Sequence, residues 1–266
     1  MNEKNFEYLR DQVKYSGFGD GLEPQLRENI KKQPLEFSVQ HQTAFGKDEV
    51  ESTLNFKKSS VTDMYFFNNY QTSVKPDQAA EKVNQTFYIG KDNNITLKEG
   101  YNLMSGRAVN KDLTNKEGKI YNAWLQMDFK QTDSTGNFKL KQFHQNYGFD
   151  LEKELSRLPV KELQNNQDRG RVMDSLQKGN RHAVTFLENG SEHRRYIEAN
   201  PQFKTITVFD ANMHRLHTKQ SKEKENKQEN NSKHEQKVAS DLATDEAPGR
   251  APGKKAKKSK AMSISQ

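Results

Sequence analysis

The chain has 266 residues, of which only 31% are hydrophobic, carries a net charge of +7 and contains no cysteine. This composition predicts one or two small packed units with disordered segments rather than one large domain. The lack of cysteine excludes disulfides, thiolate metal ligands and cysteine nucleophiles. No apolar run is long enough for a signal-peptide core or a bilayer span, so we expect a soluble, cytoplasmic protein without membrane contact.

The positive charge is concentrated at the C-terminal end. Residues 217–266 hold twelve Lys and Arg against seven Asp and Glu, which is +5 of the total of +7. The segments "KQSKEKENKQENNSKHEQK" and "APGRAPGKKAKKSK" are charged and almost free of aliphatic residues, which predicts a disordered tail. Such a tail either attracts polyanions or keeps the protein in solution. For the first role the candidate residues are Lys254, Lys255, Lys257 and Lys258.

Residues 1–34 predict an N-terminal helical segment. Phe6, Leu9 and Val13 recur at helical spacing, and Leu26 and Ile30 repeat the pattern. We expect two short amphipathic helices joined by the turn "SGFGDG".

Residues 35–149 predict a first β-rich unit of antiparallel strands. Short alternating runs, bounded by turn residues, are "LEFSVQH", "STLNFKK", "DMYFFNNY", "QTFYIG" and "NITL". In "YNAWLQMDFK" the residues Leu125 and Phe129 fall on the inner face, which turns Trp124 and Lys130 outward. The returning strand "FKLKQF" is expected to add Lys139 and Lys141 to that outer face.

Residues 150–216 predict a helical insertion followed by a second β-rich unit. Leucines at helical spacing follow Asp150, a suitable N-cap, and "KGN" supplies a glycine after the second helix. Three strands come next, with a two-residue turn at Asn189-Gly190. Successive residues of a strand point to opposite faces, so at most one of Arg194 and Arg195 lies over the core. Arg181 and Arg194 are candidates for phosphate contact on the outside.

The predicted fold class is therefore α+β: a helical pair, a mostly antiparallel β-rich body, a two-helix insertion and a disordered basic tail, residues 217–266. Two pairs of segments also resemble each other in the same order. "LNFKKSSVTDMYFFNNY" is similar to "MDFKQTDSTGNFKLKQFHQNY", and "YIGKDNNITLKEGYNLMSGR" to "YIEANPQFKTITVFDANMHR". An internal duplication and chance similarity of short strands both explain this pattern.

Catalytic and metal-binding signatures are missing from the sequence. There is no GxSxG, HExxH, Walker-type or dinucleotide-binding motif. Of the seven histidines, only His214 and His217 have a spacing suited to one metal ion, and that needs a helix and a third ligand. We therefore expect no enzyme activity, no cofactor and no bound metal.

Three segments resemble a known family. "NLMSGRAVNKDLTNKEGKIYNAWLQMDFK", "HQNYGFDLEKELSRLPVKEL" and "YIEANPQFKTITVFDANMHRL" are similar to uncharacterised proteins of Bacteroidetes that are often encoded on conjugative or integrated mobile elements, sometimes beside DNA-processing genes such as topoisomerases. The resemblance covers roughly residues 3–216 and excludes the tail. It implies a genomic association and no catalytic residue.

The outer face of the predicted hairpin is the leading candidate site. Trp124, Lys130, Lys139 and Lys141 would combine an aromatic ring with cations, as sheet-based single-strand binders do. In the alternative arrangement, a helix covers Trp124 and the lysines form the rim of the sheet. We expect a non-enzymatic accessory or binding module of a mobile element that contacts DNA or a DNA-processing partner. A protein adaptor without nucleic-acid contact, or an enzyme of unknown class, are the alternatives, and the oligomeric state is left open.

Overall fold

The α+β class is confirmed by the structure, a computed structural model that describes residues 2–77 and 81–217. Its helices are α1 (Glu3–Val13), α2 (Glu23–Lys32), α3 (Leu97–Met104), α4 (Leu151–Leu155) and α5 (Asn166–Gln177). Its strands are β1 (Glu36–Phe45), β2 (Asp48–Lys58), β3 (Tyr65–Lys75), β4 (Val83–Tyr88), β5 (Val109–Thr114), β6 (Ile120–Thr132), β7 (Phe138–His144), β8 (His182–Glu188), β9 (Ser191–Asn200), β10 (Thr205–Phe209) and β11 (Arg215–Leu216). In the described part of the chain, no helix has both the length and the apolar character needed to cross a bilayer.

The N-terminal helical pair is confirmed. The side chain of Asn2 caps α1 by accepting a hydrogen bond from the backbone N–H of Asn5 at 3.1 Å. Phe6, Leu9 and Val13 are all buried, as their helical spacing predicts. The connection to α2 includes a π-helical turn at Lys14–Phe18.

The first sheet has the strand order β1-β2-β3-β4, and all its pairs are antiparallel. Its inner face packs against α1, α2 and α3, and residues such as Leu54 and Tyr70 are fully buried there. The other face is polar. This alternation follows from the period of two along each strand, with one face in the core and one in solvent.

Helix α3 corrects one prediction. The run "NITL" was expected to be a strand, yet its residue Thr96 is the N-cap of a helix that begins at Leu97. The Thr96 hydroxyl accepts from the backbone N–H of Glu99, and the Glu99 carboxylate accepts from the backbone N–H of Thr96. This reciprocal capping box satisfies two of the donors that a helix start leaves unpaired, and it outweighs the short β-like apolar run.

The second sheet, β5-β6-β7, lies between two hydrophobic clusters. On β6, Leu125 and Met127 belong to the first cluster, whereas Trp124 belongs to the second. The boundary at residues 149 and 150 between the predicted β-rich units therefore does not separate two cores. The described residues all belong to one compact unit.

The two-helix insertion and the hairpin after it are confirmed. Asp150 caps α4 by accepting from the N–H of Lys153 at 3.0 Å. Helix α5 leads into a third sheet with the order β11-β10-β9-β8. Asn189 and Gly190, which join β8 to β9, both have positive φ angles, 52° and 76°, as a type I′ hairpin turn requires.

The internal similarity extends only partly to the structure. The first pair of similar segments forms hairpins in both places, β2–β3 and β6–β7. In the second pair, residues 88–107 contain α3, whereas residues 196–215 contain β10. Equivalent positions of this pair thus adopt different secondary structure, which the chance-similarity explanation accommodates more simply.

The turn after α5 yields a stability prediction. Gly179 has a φ of +79°, and a Cβ there would lie 2.8 Å from the carbonyl oxygen of Ala108 and from Cγ2 of Val109. Gly118 has the same φ but no atom within 4 Å of its Cβ position, so it is a matched control. Gly118→Ala should cost about 1–2 kcal/mol of unfolding free energy through backbone strain. Gly179→Ala should cost about 1–3 kcal/mol more through overpacking. Urea denaturation followed by circular dichroism measures both, and equal losses would contradict the close packing of α5 on β5.

Candidate binding surfaces

Trp124 lies on the face of β6 predicted from the alternation, but this face is covered. The side chain is 7% exposed and packs in the second cluster, where its ring meets Phe149 edge-on at 5.3 Å between centroids. The expectation of an exposed stacking platform is corrected by this burial, since the ring faces are occupied by protein. Alternation along a strand reveals which residues share a face and not what covers that face.

A group of lysines lies nearer the turn of the same β6–β7 hairpin, past the covered part that contains Trp124. We call it the lysine face and define it as Lys130, Lys139, Lys141 and Asp128. In the β6–β7 register, Asp128 is opposite Lys139 and Gln126 is opposite Lys141. All three lysines are exposed, whereas the Asp128 side chain is only 8% exposed. Lys141 is thus ion-paired with a recessed carboxylate, and Lys139 lies opposite the same residue in the register.

Asp128 is held in place from two directions. Its carboxylate lies 2.9 Å from Nζ of Lys141 and accepts a hydrogen bond from the backbone N–H of Lys130 at 3.1 Å. The hydrogen bond from Lys141, supported by the one from Lys130, lowers the pKa of Asp128 despite its burial. The carboxylate therefore stays charged at neutral pH and fixes the backbone at Lys130. In residues 2–77 and 81–217 no carboxylate forms an ion pair with Lys130 or Lys139.

The sequence reasoning missed Phe129. It was expected to point inward with Leu125, yet it is 44% exposed and meets Phe138 edge-on at 5.1 Å. Its contact with Phe138, which packs on the first cluster, agrees with the inner face; its exposure follows from its position at the end of that face, where the β6–β7 pairing becomes irregular. The exposed aromatic ring of β6 is therefore Phe129 and not Trp124, and its contact with Phe138 places it on the inner side of the hairpin, away from Lys139.

The two candidate arginines lie on the third sheet. The guanidinium of Arg181 is 3.1 Å from the carboxylate of Glu198 and lies 4.0 Å above the centroid of the Phe209 ring. Arg194 is exposed, and its Cζ is 5.6 Å from the centroid of the Tyr196 ring. Arg181 is thus engaged by an acid and a ring, while Arg194 presents its charge to solvent.

Arg195, on the opposite face from Arg194, is the arginine over the core. It is paired in register with buried Val184, and its guanidinium reaches Glu188 at 3.4 Å. His193 shares the face of Arg195 and not that of Arg194.

The tail lysines Lys254, Lys255, Lys257 and Lys258 lie outside the described residues, as does the predicted disordered segment from residue 218 onward. Their roles stay predictions.

A cavity of about 490 Å³ lies over the polar face of the first sheet. Its floor carries amide and hydroxyl side chains, several of which bond to one another; Thr53 Oγ1 donates to Gln40 Oε1 at 2.9 Å. Its carboxylate, Glu51, is neutralised by Lys82 at 2.6 Å. The cavity therefore offers hydrogen bonds to a neutral group, but among the described residues it provides no free cation for a phosphate.

Two cations converge on the ring of Tyr101. Nζ of Lys98 and Cζ of Arg107 lie 4.6 Å and 4.9 Å from the ring centroid. Burial, and then the charge of Arg107, lower the pKa of Lys98. The Tyr101 hydroxyl donates to Asp48 at 2.9 Å, and burial raises the pKa of that hydroxyl. These contacts fasten α3 to the β1–β2 turn, which is a structural role.

His214 and His217 flank the short strand β11 rather than lying on a helix. Residues three apart in extended chain point to opposite sides, so the spacing does not bring the two imidazoles together. Across the described ranges, no group of three or more His, Cys, Asp or Glu side chains is arranged to hold a metal ion.

No family model, curated protein or solved structure matches the chain. The resemblance to the mobile-element family stays a prediction.

The burial of Trp124 and the exposure of Phe129 give a paired prediction. Trp124→Ala removes a large ring from the second cluster and should lower the unfolding free energy by about 3–5 kcal/mol. Phe129→Ala, on the same strand, should cost less than about 1 kcal/mol because the ring is largely in solvent. Urea denaturation followed by circular dichroism compares the two. A loss below about 1 kcal/mol for Trp124→Ala would mean that its ring does not support the core.

Proposed function

We propose that the protein is a non-enzymatic binding module of a mobile genetic element, acting in the cytoplasm and contacting DNA, alone or with a DNA-processing partner. The lysine face is its nucleic-acid surface on the body. The observation that carries this proposal is the pair of exposed lysines Lys130 and Lys139, which form no ion pair within the described residues, with the exposed ring of Phe129 at the end of the same hairpin. The mobile-element part rests on the sequence resemblance alone.

Two exposed lysines outside the lysine face show how an ion pair would affect phosphate binding. Lys57 lies 2.7 Å from Glu36, and Lys82 lies 2.6 Å from Glu51. A phosphate that approached those lysines would have to compete with a carboxylate. At Lys130 and Lys139 it would displace only water and counterions, and the release of counterions is a main source of affinity for nucleic acid.

The ring of Phe129 favours a single-stranded ligand. Bases of a single strand are free to stack on an aromatic side chain, while neighbouring cations hold the phosphates. A duplex keeps its bases stacked inside, so it would gain from the lysines but not from the ring. Arg194 and the tail lysines would add attraction that does not depend on sequence.

A salt titration tests the role of the lysines. Lys130→Gln and Lys139→Gln in the full chain should each lower the slope of log K against log salt by about 0.7 for single-stranded DNA, since each removes one phosphate contact. Fluorescence anisotropy measures the slope. Lys57→Gln makes the same charge change at a lysine already paired with Glu36, and it should leave the slope unchanged. An equal drop in all three variants would mean that net charge alone attracts the DNA.

Two further variants separate stacking from the tail. Phe129→Ala should weaken binding to single-stranded DNA by about 1–3 kcal/mol without changing the salt slope, because the ring is uncharged. Changing Lys254, Lys255, Lys257 and Lys258 together to Gln should reduce binding to single and double strands alike. If no form of the protein binds DNA at low salt, the proposal fails and an adaptor that contacts only protein becomes the better account.

A further inference from the structure

The geometry of the β1–β2 hairpin determines which backbone groups of β1 point away from the sheet. Phe45 and Asp48 close a two-residue turn in which Gly46 has a φ of +67°, as in a type II′ turn. The residues that flank such a turn exchange both backbone hydrogen bonds, and bonded pairs then alternate along the strands. Odd-numbered residues of β1 therefore bond to β2. At the other end, the N–H of Lys58 donates to the carbonyl of Leu35 at 2.8 Å, which fits the same odd series.

The even-numbered residues of β1 consequently turn their N–H and C=O groups outward. Within the described chain, these backbone groups form no hydrogen bond with any other part of the protein. They form a continuous row of donors and acceptors along the edge of the first sheet, from the residues Glu36, Ser38, Gln40, Gln42 and Ala44.

The other long edges in the described ranges are covered or charged. At β4, the N–H of Thr86 donates to Oδ1 of Asn137 at 2.8 Å. At β8, the N–H of Leu187 donates to the carbonyl of Pro159 at 2.8 Å. At β5, the N–H of Thr114 donates to Oδ1 of Asn93 at 2.6 Å. At β7, Lys139 and Lys141 place charge on the edge. These are devices by which proteins prevent edge-to-edge pairing.

Strand β1 has none of these devices. It is ten residues long, pairs with β2 without a bulge and contains no proline. Glu36 at its first position is its only acidic or basic residue apart from His41. A long, regular and nearly uncharged edge is a template for another strand.

We propose that β1 pairs edge to edge with β1 of a second copy of this chain, antiparallel and about a twofold axis at Gln40. In this register Gln40 faces Gln40, Ser38 faces Gln42 and Glu36 faces Ala44 of the other copy. All five outward N–H groups of each copy then meet a carbonyl. A register shifted by one pair leaves part of the row unpaired, so the Gln40 register satisfies the most groups.

The side chains suit a self-complementary contact. Glu36 faces an uncharged alanine, so no like charges oppose each other across the axis. On the polar face, Ser38 Oγ donates to Asn55 Oδ1, and Asn55 Nδ2 donates to Asn69 Oδ1, each at 2.8 Å. Gln42 of the second copy would continue this row of hydrogen bonds across the interface. A twofold contact of one surface with itself is also the commonest way in which soluble proteins form dimers.

Sedimentation velocity of the full chain over a range of concentrations tests the proposal. The parent chain should show a monomer–dimer equilibrium. Gln40→Pro should shift it to monomer, because proline removes an outward N–H while leaving the bonds to β2 intact. Circular dichroism verifies that the variant is folded. A parent chain that is monomeric at every soluble concentration, or a folded Gln40→Pro variant that dimerises as the parent does, would overturn the proposal.

A charge-swap experiment tests the register. Because residue 40 would face its own counterpart, Gln40→Lys and Gln40→Glu should each weaken self-association several-fold, whereas an equimolar mixture of the two should form a heterodimer at least as tight as the parent dimer. Gln71→Lys and Gln71→Glu, on the same polar face but in the interior strand β3, should have no effect and serve as matched controls. Failure of the mixture to restore the dimer would exclude the register at Gln40. This result is independent of the DNA titrations, since none of these variants alters the lysine face.

Discussion

The whole fold depends on a strand that is buried on both faces. Along β6, Leu125 and Met127 pack against the first sheet and its helices, while Trp124 packs against the insertion and the third sheet. Two cores therefore share one strand, and neither can form fully without it. The hydrophobic residues of this chain are few, and use of both faces of a central sheet is an economical way to enclose two clusters with them.

Local signals in the sequence predicted local structure well. Asp150 was identified as an N-cap because a short acceptor before a leucine repeat satisfies the first N–H groups of a helix, and it caps α4 in the structure. Asn189-Gly190 was identified as a hairpin turn because these residues tolerate positive φ. The same local reasoning failed at Thr96, which was assigned to the strand "NITL" although it forms a capping box with Glu99.

The candidate site was harder to predict from the sequence, because it depends on contacts between residues that are far apart in the chain. The alternation assigned Trp124 to the correct face, but its cover comes from residues after Tyr147, which no pattern within β6 reveals. Phe129 was assigned to the face of Leu125, and its contact with Phe138 agrees with that, but the alternation did not reveal that this end of the face is open to solvent. Whether a surface cation is paired with a carboxylate also depends on residues far away in the sequence. Arg181 is paired with Glu198, seventeen positions away, and only the fold distinguishes it from Lys139, which forms no ion pair with the described residues.

The edges of the sheets connect the two proposals. Under these proposals the lysines on β7 would have two roles, because their charge would discourage the pairing of another strand and would attract phosphate. Strand β1 lacks such charge, so its backbone remains available to a partner strand. Pairing through β1 would carry two lysine faces in one particle. A DNA strand bound to one lysine face would then be at a high effective concentration for the second lysine face. Modest contacts at each face would combine into a much tighter complex, provided that the strand is long enough to reach both. The affinity of the protein for long DNA would then depend on its concentration relative to the dimer equilibrium, whereas affinity for a short strand that reaches only one face would not.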